Sequence, residues 1–427
     1  MTTQPDAVDA KRSAGWLPEQ DDLESWLEGH RERVEARGEQ VVLHPVIEEF
    51  QQLIDTDPIV RMCLHQMIEQ VPSTKPYRTR HLDSVEQMLR LINELLTMAP
   101  EFGETSIMAL PLNAILDWPM GTPAGFAVFR DPRVNAMLKK ILTTWCEFLS
   151  GRDSLYVLND SPAGWKCAQA RRTVGMGQYE HDPEDEHWGF CSWNDFFTRR
   201  FKEGERPVAS PEDDKVIVSA CESTPYGIST DVKRQDRFWI KSQPYSLEDM
   251  LANDDSIDQF VGGTVYQAFL SAVNYHRWHS PVAGTVVRAF VHDGTYYSEA
   301  DSEGKDAVEP KNSQSYLAHV ATRAIILIDA DEPVIGLIAF VAVGMSEVSS
   351  CVIDSAVTSG YHVDKGEELG YFQYGGSTEC LVFRPGAIAE FTLAAIPQPH
   401  DPHAPLMLVR SRLATAEAAA VKQEQNR

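Results

Sequence analysis

The hydrophobic periodicity of the chain changes once along its length, and this change decides the class of fold. From residue 22 to about residue 150, apolar residues recur three or four positions apart, the spacing of amphipathic helices that bury one face. Beyond residue 215, short runs rich in branched and aromatic residues are separated by Gly or Asp turns, which predicts strands. The sequence therefore predicts an α+β fold in which helices come first and sheets follow.

These patterns divide the 427 residues into five segments. We expect a flexible N-terminus, a helical domain, a loop-rich connecting segment, a strand-rich domain and a C-terminal tail, at residues 1–20, 21–155, 156–210, 211–405 and 406–427. The Ala-, Glu- and Gln-rich stretch from residue 411 predicts a frayed helix or a tail.

Individual elements follow from the same periodicities. Apolar stripes predict helices at about 23–34, 60–71, 85–96 and 134–149, with Asp57 capping the second of them. Strands are predicted at 216–219, 285–291, 324–329, 334–343, 348–353, 371–374, 381–383 and 387–393.

Composition excludes several classes of protein. A hydrophobic content of 43% is that of a globular protein, and a formal net charge of -25 argues against nucleic acid or an anionic membrane as the main partner. Seven cysteines without a CxxC pair indicate a reducing cytoplasm rather than a disulfide framework. The N-terminus has no apolar secretory core, and the longest apolar run, 334–345, is too short to span a bilayer. We therefore expect a soluble, cytoplasmic protein without integral membrane association.

The segment 371–383 contains two glycines followed by a hydroxyl residue, Gly375, Gly376 and Ser377, between strand-like runs. Such a sequence is commonly a turn. A serine hydroxyl that attacks its own preceding carbonyl also needs a tight bend, which glycine permits and a larger side chain would obstruct. The residues alone leave both interpretations open, a turn or self-cleavage between Gly376 and Ser377.

Two histidines three positions apart, His276 and His279, lie in the segment 275–281. They are read as structural histidines, as a metal pair if the segment is helical, or as acid-base groups, since imidazole titrates near neutral pH. No third ligand stands at metal-binding spacing nearby, so no metal is expected.

Glu222 ends a predicted strand in a neighbourhood of small residues. A lone glutamate there is commonly solvated or caps a turn, but a carboxylate behind an imidazole orients the ring and stabilises its charged form. Glu222, His279 and Ser377 would together supply a carboxylate, base and nucleophile triad. Sequence alone does not bring the three together.

The glycine-punctuated stretch 360–370 resembles the hairpins of lipoyl and biotinyl carriers, which would give Lys365 a prosthetic group. The lysine does not stand at the expected hairpin tip, so a plain β-sandwich is the preferred interpretation.

Five motifs in order resemble the phosphatidylserine decarboxylase family of pyruvoyl enzymes. They are a Phe-Phe-x-Arg motif continuing to Pro207, a carboxylate motif, a double-histidine motif, the strand before a cleavage hairpin and the hairpin itself, at 193–208, 218–223, 275–286, 343–350 and 366–378. The resemblance covers about residues 190–395 and implies a helical N-terminal region followed by a mainly antiparallel β catalytic domain of the phosphatidylserine decarboxylase type.

The motifs depart from the family at several positions. Glu222 stands where the family has Asp, and the positions of Ser223, Gly375, Ala283 and Ser349 also differ from the common residues. The helical half, including 44–60, is not typical of the membrane lipid enzymes. It resembles the soluble branch that includes the fungal L-tryptophan decarboxylase of psilocybin biosynthesis, which acts on free aromatic amino acids.

The resemblance implies a self-made cofactor. His279, oriented by Glu222, would activate Ser377, which attacks Gly376 and splits the chain into fragments 1–376 and 377–427 that stay associated. Ser377 would become a covalent pyruvoyl group, with no pyridoxal phosphate and no metal, and His276 or His279 would reprotonate the substrate α-carbon.

The expected reaction is decarboxylation of a small-molecule aromatic amino acid, with L-tryptophan giving tryptamine and carbon dioxide. Three alternatives stay open at this point: decarboxylation of phosphatidylserine, a relative that has lost processing and acts as a binding module, and a metallohydrolase that uses the two histidines.

Overall fold

A computed structural model describes residues 20–38, 42–71, 82–103, 110–236, 245–271, 273–298, 313–348, 350–398 and 404–417. Most of the predicted flexible N-terminus, Ser349 and the end of the predicted tail beyond residue 417 lie outside the described residues.

Helices fill the first half of the described chain, and short ones follow in the second half. They are α1 Gln20–Ala36, α2 Pro45–Thr56, α3 Pro58–Glu69, α4 Val85–Leu95, α5 Pro111–Met120, α6 Pro123–Val128, α7 Pro132–Leu149, α8 Ala168–Val174, α9 Trp193–Phe197, α10 Leu247–Met250 and α11 Gln314–Val320. The four apolar stripes correspond to α1, α3, α4 and α7. Asp57 caps α3 as predicted, because its carboxylate accepts hydrogen bonds from the backbone N–H groups of Ile59 and Val60.

Strands dominate from residue 216 onward. They are β1 Val216–Val218, β2 Thr224–Thr230, β3 Thr264–Leu270, β4 Arg277–His279, β5 Gly284–His292, β6 Arg323–Ala330, β7 Leu337–Ser346, β8 Ser350–Ile353, β9 His362–Val363, β10 Glu368–Gln373, β11 Gly376–Phe383, β12 Ile388–Phe391 and β13 Arg412–Ala416. The α+β prediction is confirmed.

The strands form one large sheet and two small ones. The large sheet has the order β2-β3-β11-β7-β6-β5-β9, and the small ones have the orders β1-β13-β12 and β4-β10-β8. Neighbouring strands within these sheets pair antiparallel. Strand β11 therefore has a partner on each side and contains Ser377.

The prediction of a frayed helix or tail from residue 411 was wrong for β13. Residues 412–416 pair with β1 on one side and β12 on the other, and Leu413 and Ala414 are fully buried. Composition misled the prediction, because burial between two strand partners outweighs the weak helix preference of alanine.

The two halves of the chain share one hydrophobic core at their junction. Tyr275, Tyr296, Tyr297 and Tyr374, from the strand-rich half, pack into the core cluster of the helices. The two faces of the large sheet pack into two further clusters. None of the helices in the described part of the chain combines the length and apolar character needed to cross a membrane.

Candidate active site around Ser377

Ser377 lies at the start of β11, an interior strand of the large sheet. The chain bends at Gly375, whose φ of 139° favours glycine, and then enters β11. Ser377 lies opposite Leu270 of β3 and Gly344 of β7, whereas Gly376 lies opposite Ser346. Met345 is therefore an extra residue on β7, and this irregularity stands beside the Gly376–Ser377 peptide bond.

The Ser377 side chain is fully buried, and within the described part of the chain its hydroxyl has no hydrogen-bond partner. A buried hydroxyl without a partner is costly, so such groups concentrate where chemistry or strain requires them. The predicted bend is present, and the serine follows it inside the sheet rather than in an exposed turn.

His279 is buried on β4 and both of its ring nitrogens have partners. Nε2 lies 2.9 Å from the Tyr275 hydroxyl, and Nδ1 lies 3.0 Å from the Gly366 carbonyl oxygen and 3.2 Å from Nη2 of Arg410. Because a carbonyl oxygen can only accept a hydrogen bond, the assignment that uses the Gly366 contact has Nδ1–H donating to Gly366 and the Tyr275 O–H donating to Nε2. The Arg410 guanidinium, which can only donate, then lies beside Nδ1 without a hydrogen bond to it. Burial, with Arg410 adding repulsion, lowers the pKa of His279 to about 3, so the ring is neutral.

Glu222 is buried next to Arg206. Two guanidinium nitrogens of Arg206 donate to the carboxylate, at 2.6 and 3.2 Å, and the backbone N–H of Val409 donates to Oε2 at 2.8 Å. The hydrogen bonds of Glu222, His279 and Ser377 do not join the three residues. A guanidinium that binds in bidentate fashion compensates a buried carboxylate better than a neutral imidazole does, which explains why Glu222 pairs with Arg206.

Glu222 and His279 are instead connected through the segment that contains Val409 and Arg410. Glu222 holds the backbone of Val409, and the Arg410 side chain donates to the same Gly366 oxygen that His279 contacts. The backbone N–H of His279 also donates to the Ala220 oxygen, two residues before Glu222. Glu222 therefore affects the position of His279 only indirectly, through Val409 and Arg410.

His276 lies fully buried just before β4 and presents one free ring nitrogen. Nδ1 lies 3.0 Å from the Asn274 carbonyl oxygen, and Nε2 has no hydrogen-bond partner among the described residues. The ring stacks on Phe197 with 4.2 Å between centroids. Burial, with repulsion from Arg199, lowers its pKa to about 3, so Nε2 carries a lone pair at neutral pH.

Aromatic rings of α7 and α9 surround Tyr374, three residues before Ser377. Its ring centroid lies 5.2 Å from that of Trp145, 5.0 Å from that of Phe197 and 6.0 Å from that of Trp193. Its hydroxyl is buried without a partner. Phe197 also stacks on His276, so the aromatic cluster joins the histidine to the chain before the scissile bond.

Glu347 is a second buried carboxyl near that bond, beside Ser346, which faces Gly376. Its backbone is left-handed, with φ of 61°, and Oε1 accepts a 2.6 Å hydrogen bond from the backbone N–H of Asn113 in the first turn of α5. Burial raises its pKa well above the usual range. Sequence analysis missed Glu347 and Glu379, and the one available signal was an acidic residue inside or next to an apolar strand.

Two alternative roles fit the geometry poorly. The ammonium of Lys365 donates to the backbone oxygens of Ser210, Asp213 and Val216, so it anchors that segment rather than presenting a free amine. His276 and His279 belong to a strand region rather than a helix, and the described residues contain no group of three or more His, Cys, Asp or Glu that could hold a metal ion.

Comparison with known proteins finds two matching family models and several relatives of similar sequence. Two family models, both described as phosphatidylserine decarboxylase, match residues 44–174 and 193–397. Decarboxylase iboD of Amanita muscaria is 41% identical over 302 residues, which cover 66% of this chain and 86% of that protein. An L-tryptophan decarboxylase of Psilocybe cubensis is 33% identical over 407 residues, covering 89% and 90%. A phosphatidylserine decarboxylase proenzyme of Chlamydia trachomatis is 32% identical over 295 residues, covering 69% and 89%.

Proposed function

This chain belongs to the phosphatidylserine decarboxylase family and is a decarboxylase, and on that basis we propose that it cleaves itself at Ser377 and decarboxylates a free aromatic L-amino acid. The substrate proposed is L-tryptophan, giving tryptamine and carbon dioxide. The observation that carries the proposal is the buried hydroxyl of Ser377, which has no hydrogen-bond partner among the described residues. This serine follows a glycine bend and stands at an irregular pairing in β11, an interior strand of the large sheet.

Cleavage uses only the chain and water. The Ser377 oxygen forms a bond to the Gly376 carbonyl carbon, the peptide C–N bond breaks, and the hydroxyl proton ends on the freed amine. Loss of the Ser377 α-proton then expels Gly376 as a carboxylate, and water replaces the nitrogen of the remaining dehydroalanine, releasing ammonia. The products are a fragment that ends at Gly376 and a pyruvoyl-terminated fragment 377–427.

His279 and Glu222 serve this cleavage in the proposal. A neutral imidazole accepts a proton, which suits a base, but Nε2 must exchange the Tyr275 hydroxyl for that of Ser377. Glu222 acts at a distance, because it holds the Val409 backbone next to the Arg410 side chain that contacts His279.

The residues present fit a self-generated pyruvoyl group, since the serine that would form it is buried and uncommitted. That group supplies an electron sink for the pair released when carbon dioxide leaves. His276 is proposed to act on the substrate through Nε2: this nitrogen, which carries a lone pair in the neutral ring, first takes up a proton from the substrate ammonium group and then returns it to the α-carbon. Independence from pyridoxal phosphate and metal stays a prediction.

We expect the two fragments to stay associated after cleavage. Strand β11, which belongs almost entirely to the small fragment, keeps partners on both sides in the large sheet, and β13 pairs with β1. Most of the strand is fully buried, so separation would expose an apolar surface.

Substrate class is proposed from the second relative and from the cluster around Tyr374. That relative is named an L-tryptophan decarboxylase and aligns over 89% of this chain. The rings of that cluster are buried against one another just before the scissile bond, and such an aromatic environment favours an aromatic substrate. Phosphatidylserine is the rival substrate because both family models carry that name, although a net charge of -25 disfavours an anionic lipid surface. A cytoplasmic location stays a prediction.

Processing is tested by intact mass and a denaturing gel of the purified chain. We expect two fragments that meet at Ser377, with the small one trapped by hydroxylamine. Ser377→Ala should remain a single chain, whereas Ser411→Ala, a control in the small fragment, should cleave normally. A Ser377→Ala chain that still cleaves would refute the scheme, and a wild-type chain that stays whole would support a non-catalytic binding module.

Substrate choice is tested with cleaved enzyme and a panel of L-tryptophan, L-phenylalanine, L-tyrosine and phosphatidylserine vesicles. Release of tryptamine with no phosphatidylethanolamine is the expected result. Turnover of the lipid in preference to every amino acid would overturn the substrate assignment and leave the cleavage proposal intact.

A further inference from the structure

Glu379 and Ser377 lie on the same face of strand β11. Successive residues of a strand point to opposite faces, so residues 377 and 379 point one way and residues 378 and 380 the other. The packing agrees, because Leu381 belongs to the core cluster of one face and Cys380 and Val382 to that of the other. The α-carbons of Ser377 and Glu379 are about 6.6 Å apart in an extended strand, and a glutamate side chain can lean across much of that distance.

Each of these two residues has an unmatched oxygen. Glu379 is fully buried, and Oε1 accepts a 2.8 Å hydrogen bond from the Ser223 hydroxyl. Among the residues that the structure describes, neither its Oε2 nor the hydroxyl of Ser377 has a hydrogen-bond partner. Two unsatisfied oxygens on one buried face can satisfy each other directly or through one water molecule, which removes the cost of leaving each group without a hydrogen bond.

The groups around Glu379 leave its charge adjustable. Titratable neighbours are the thiols of Cys221 and Cys380 and the phenol of Tyr266, and burial raises the pKa of all three, so they are neutral. Burial raises the pKa of Glu379 to about 7, while the hydrogen bond from Ser223 opposes the rise. Its carboxyl therefore changes charge near neutral pH.

We propose that Glu379 is a positioning residue for self-cleavage, whose free oxygen accepts the hydrogen bond of the Ser377 hydroxyl and holds that oxygen for attack on Gly376. This inference rests on the proposed cleavage at Ser377. Glu379 holds the hydroxyl before the reaction, and the hydroxyl turns its single proton to Nε2 of His279, the proposed base, as attack begins. The inference thus adds a group that sequence analysis did not select.

Ionisation of Glu379 reverses the direction of that hydrogen bond. A carboxylate accepts from the Ser377 O–H and increases the electron density on its oxygen. A neutral carboxyl group instead donates to the serine oxygen and occupies the lone pair that must attack. Cleavage should therefore accelerate as pH rises through about 7.

The test follows precursor cleavage in full-length chains made by cell-free translation, pulsed and then shifted to buffers from pH 5.5 to 9. We expect Glu379→Gln to cleave about 10- to 100-fold more slowly than wild type at pH 8, with a flat pH profile. Glu379→Asp should restore the pH dependence in part. Glu390→Gln, the same change at an exposed site of the small fragment, should match wild type.

A second variant separates positioning from folding. Ser223 stabilises the carboxylate form of Glu379, so Ser223→Ala should raise the midpoint of the cleavage profile by about one pH unit, while the plateau rate at high pH stays near wild type. A loss of structure would lower the rate at every pH and would not move the midpoint.

A Glu379→Gln chain with the wild-type rate, or one slowed equally at every pH, would overturn the inference. An unchanged midpoint in Ser223→Ala would also overturn it. Failure of the underlying cleavage proposal is distinguishable, because it appears as cleavage in Ser377→Ala or as an intact wild-type chain.

Discussion

The two sides of the Gly376–Ser377 bond are packed in different ways. Before the bond, Tyr374 lies among aromatic rings that include Trp145 of α7, and the neighbouring Glu347 binds the first turn of α5. After the bond, Ser377 and Glu379 lie in the central sheet against the segment that contains Ser223. The first side is joined to the helical half, and the second is joined to the strand-rich half.

This difference indicates that folding of the chain and its cleavage at Ser377 depend on separate contacts. Aromatic packing contributes mainly apolar burial, whose loss lowers the free energy of unfolding. The polar pair after the bond contributes little burial energy and instead controls the orientation and charge around the reactive hydroxyl. Variants on the two sides should therefore separate stability from cleavage, as the following predictions specify.

The largest expected effect distinguishes the two histidines. His279→Ala should accumulate uncleaved precursor, because the proposed base is lost. His276→Ala should cleave and then turn over about 10² to 10⁴ times more slowly, the usual value of a proton-transfer group. A gel measures the first effect and tryptamine release the second, and identical behaviour of the two variants would contradict the division of roles.

Residue types predicted the centre of the site, whereas the contacts needed the fold. Gly375, Gly376 and Ser377 are recognisable because the bend and the nucleophile are local properties of the sequence. The partners of His279 are not, since Tyr275, Gly366 and Arg410 come from three separate segments. Glu222 was expected to orient His279, but its carboxylate pairs with Arg206 instead. Such a charge pair depends on the tertiary placement of both residues, which the sequence does not give.

The fold was predicted best where periodicity extends over a long segment. Long amphipathic helices such as α4 and α7 bury their predicted faces. Short or partly polar strands such as β2, β4 and β13 were missed, because three to seven residues give too weak a pattern. Burial of Glu347 and Glu379 was missed for a related reason, since a single acidic residue normally indicates exposure.

The next effect tests the aromatic side through Tyr374. Tyr374→Ala should lower the free energy of unfolding by about 3 to 5 kcal/mol, because it removes a large ring from a packed core. Tyr374→Phe removes only a hydroxyl without a partner, so stability should stay equal or rise slightly. Denaturant unfolding of chains that also carry Ser377→Ala measures both, and a large loss in the phenylalanine variant would show that the hydroxyl is engaged.

A smaller effect tests the polar side through pH. The folded pKa of Glu379, about 7, exceeds its ordinary value of 4.5, so the folded state binds this proton more tightly. Stability from this group is complete below pH 4.5 and falls as pH rises to about 7, by about 3 kcal/mol. Both chains compared carry Ser377→Ala, so that neither is cleaved. The free energy of unfolding of the Glu379→Gln chain, relative to that of its Glu379 parent, should be higher at pH 8 than at pH 4.5. A difference that does not change with pH would contradict the assignment.

The smallest effect concerns the link between Glu347 and α5. Burial keeps this carboxyl protonated at neutral pH, and an amide also presents an oxygen to the Asn113 N–H, so Glu347→Gln should change stability little. Glu347→Ala removes the acceptor at the helix N-terminus and should cost about 0.5 to 2 kcal/mol. The order Gln above Ala in denaturant unfolding supports a neutral cap. A glutamine variant as unstable as the alanine variant would instead indicate that the charge of Glu347 holds the two halves together, and the contrast between an apolar and a polar side of the bond would then need revision.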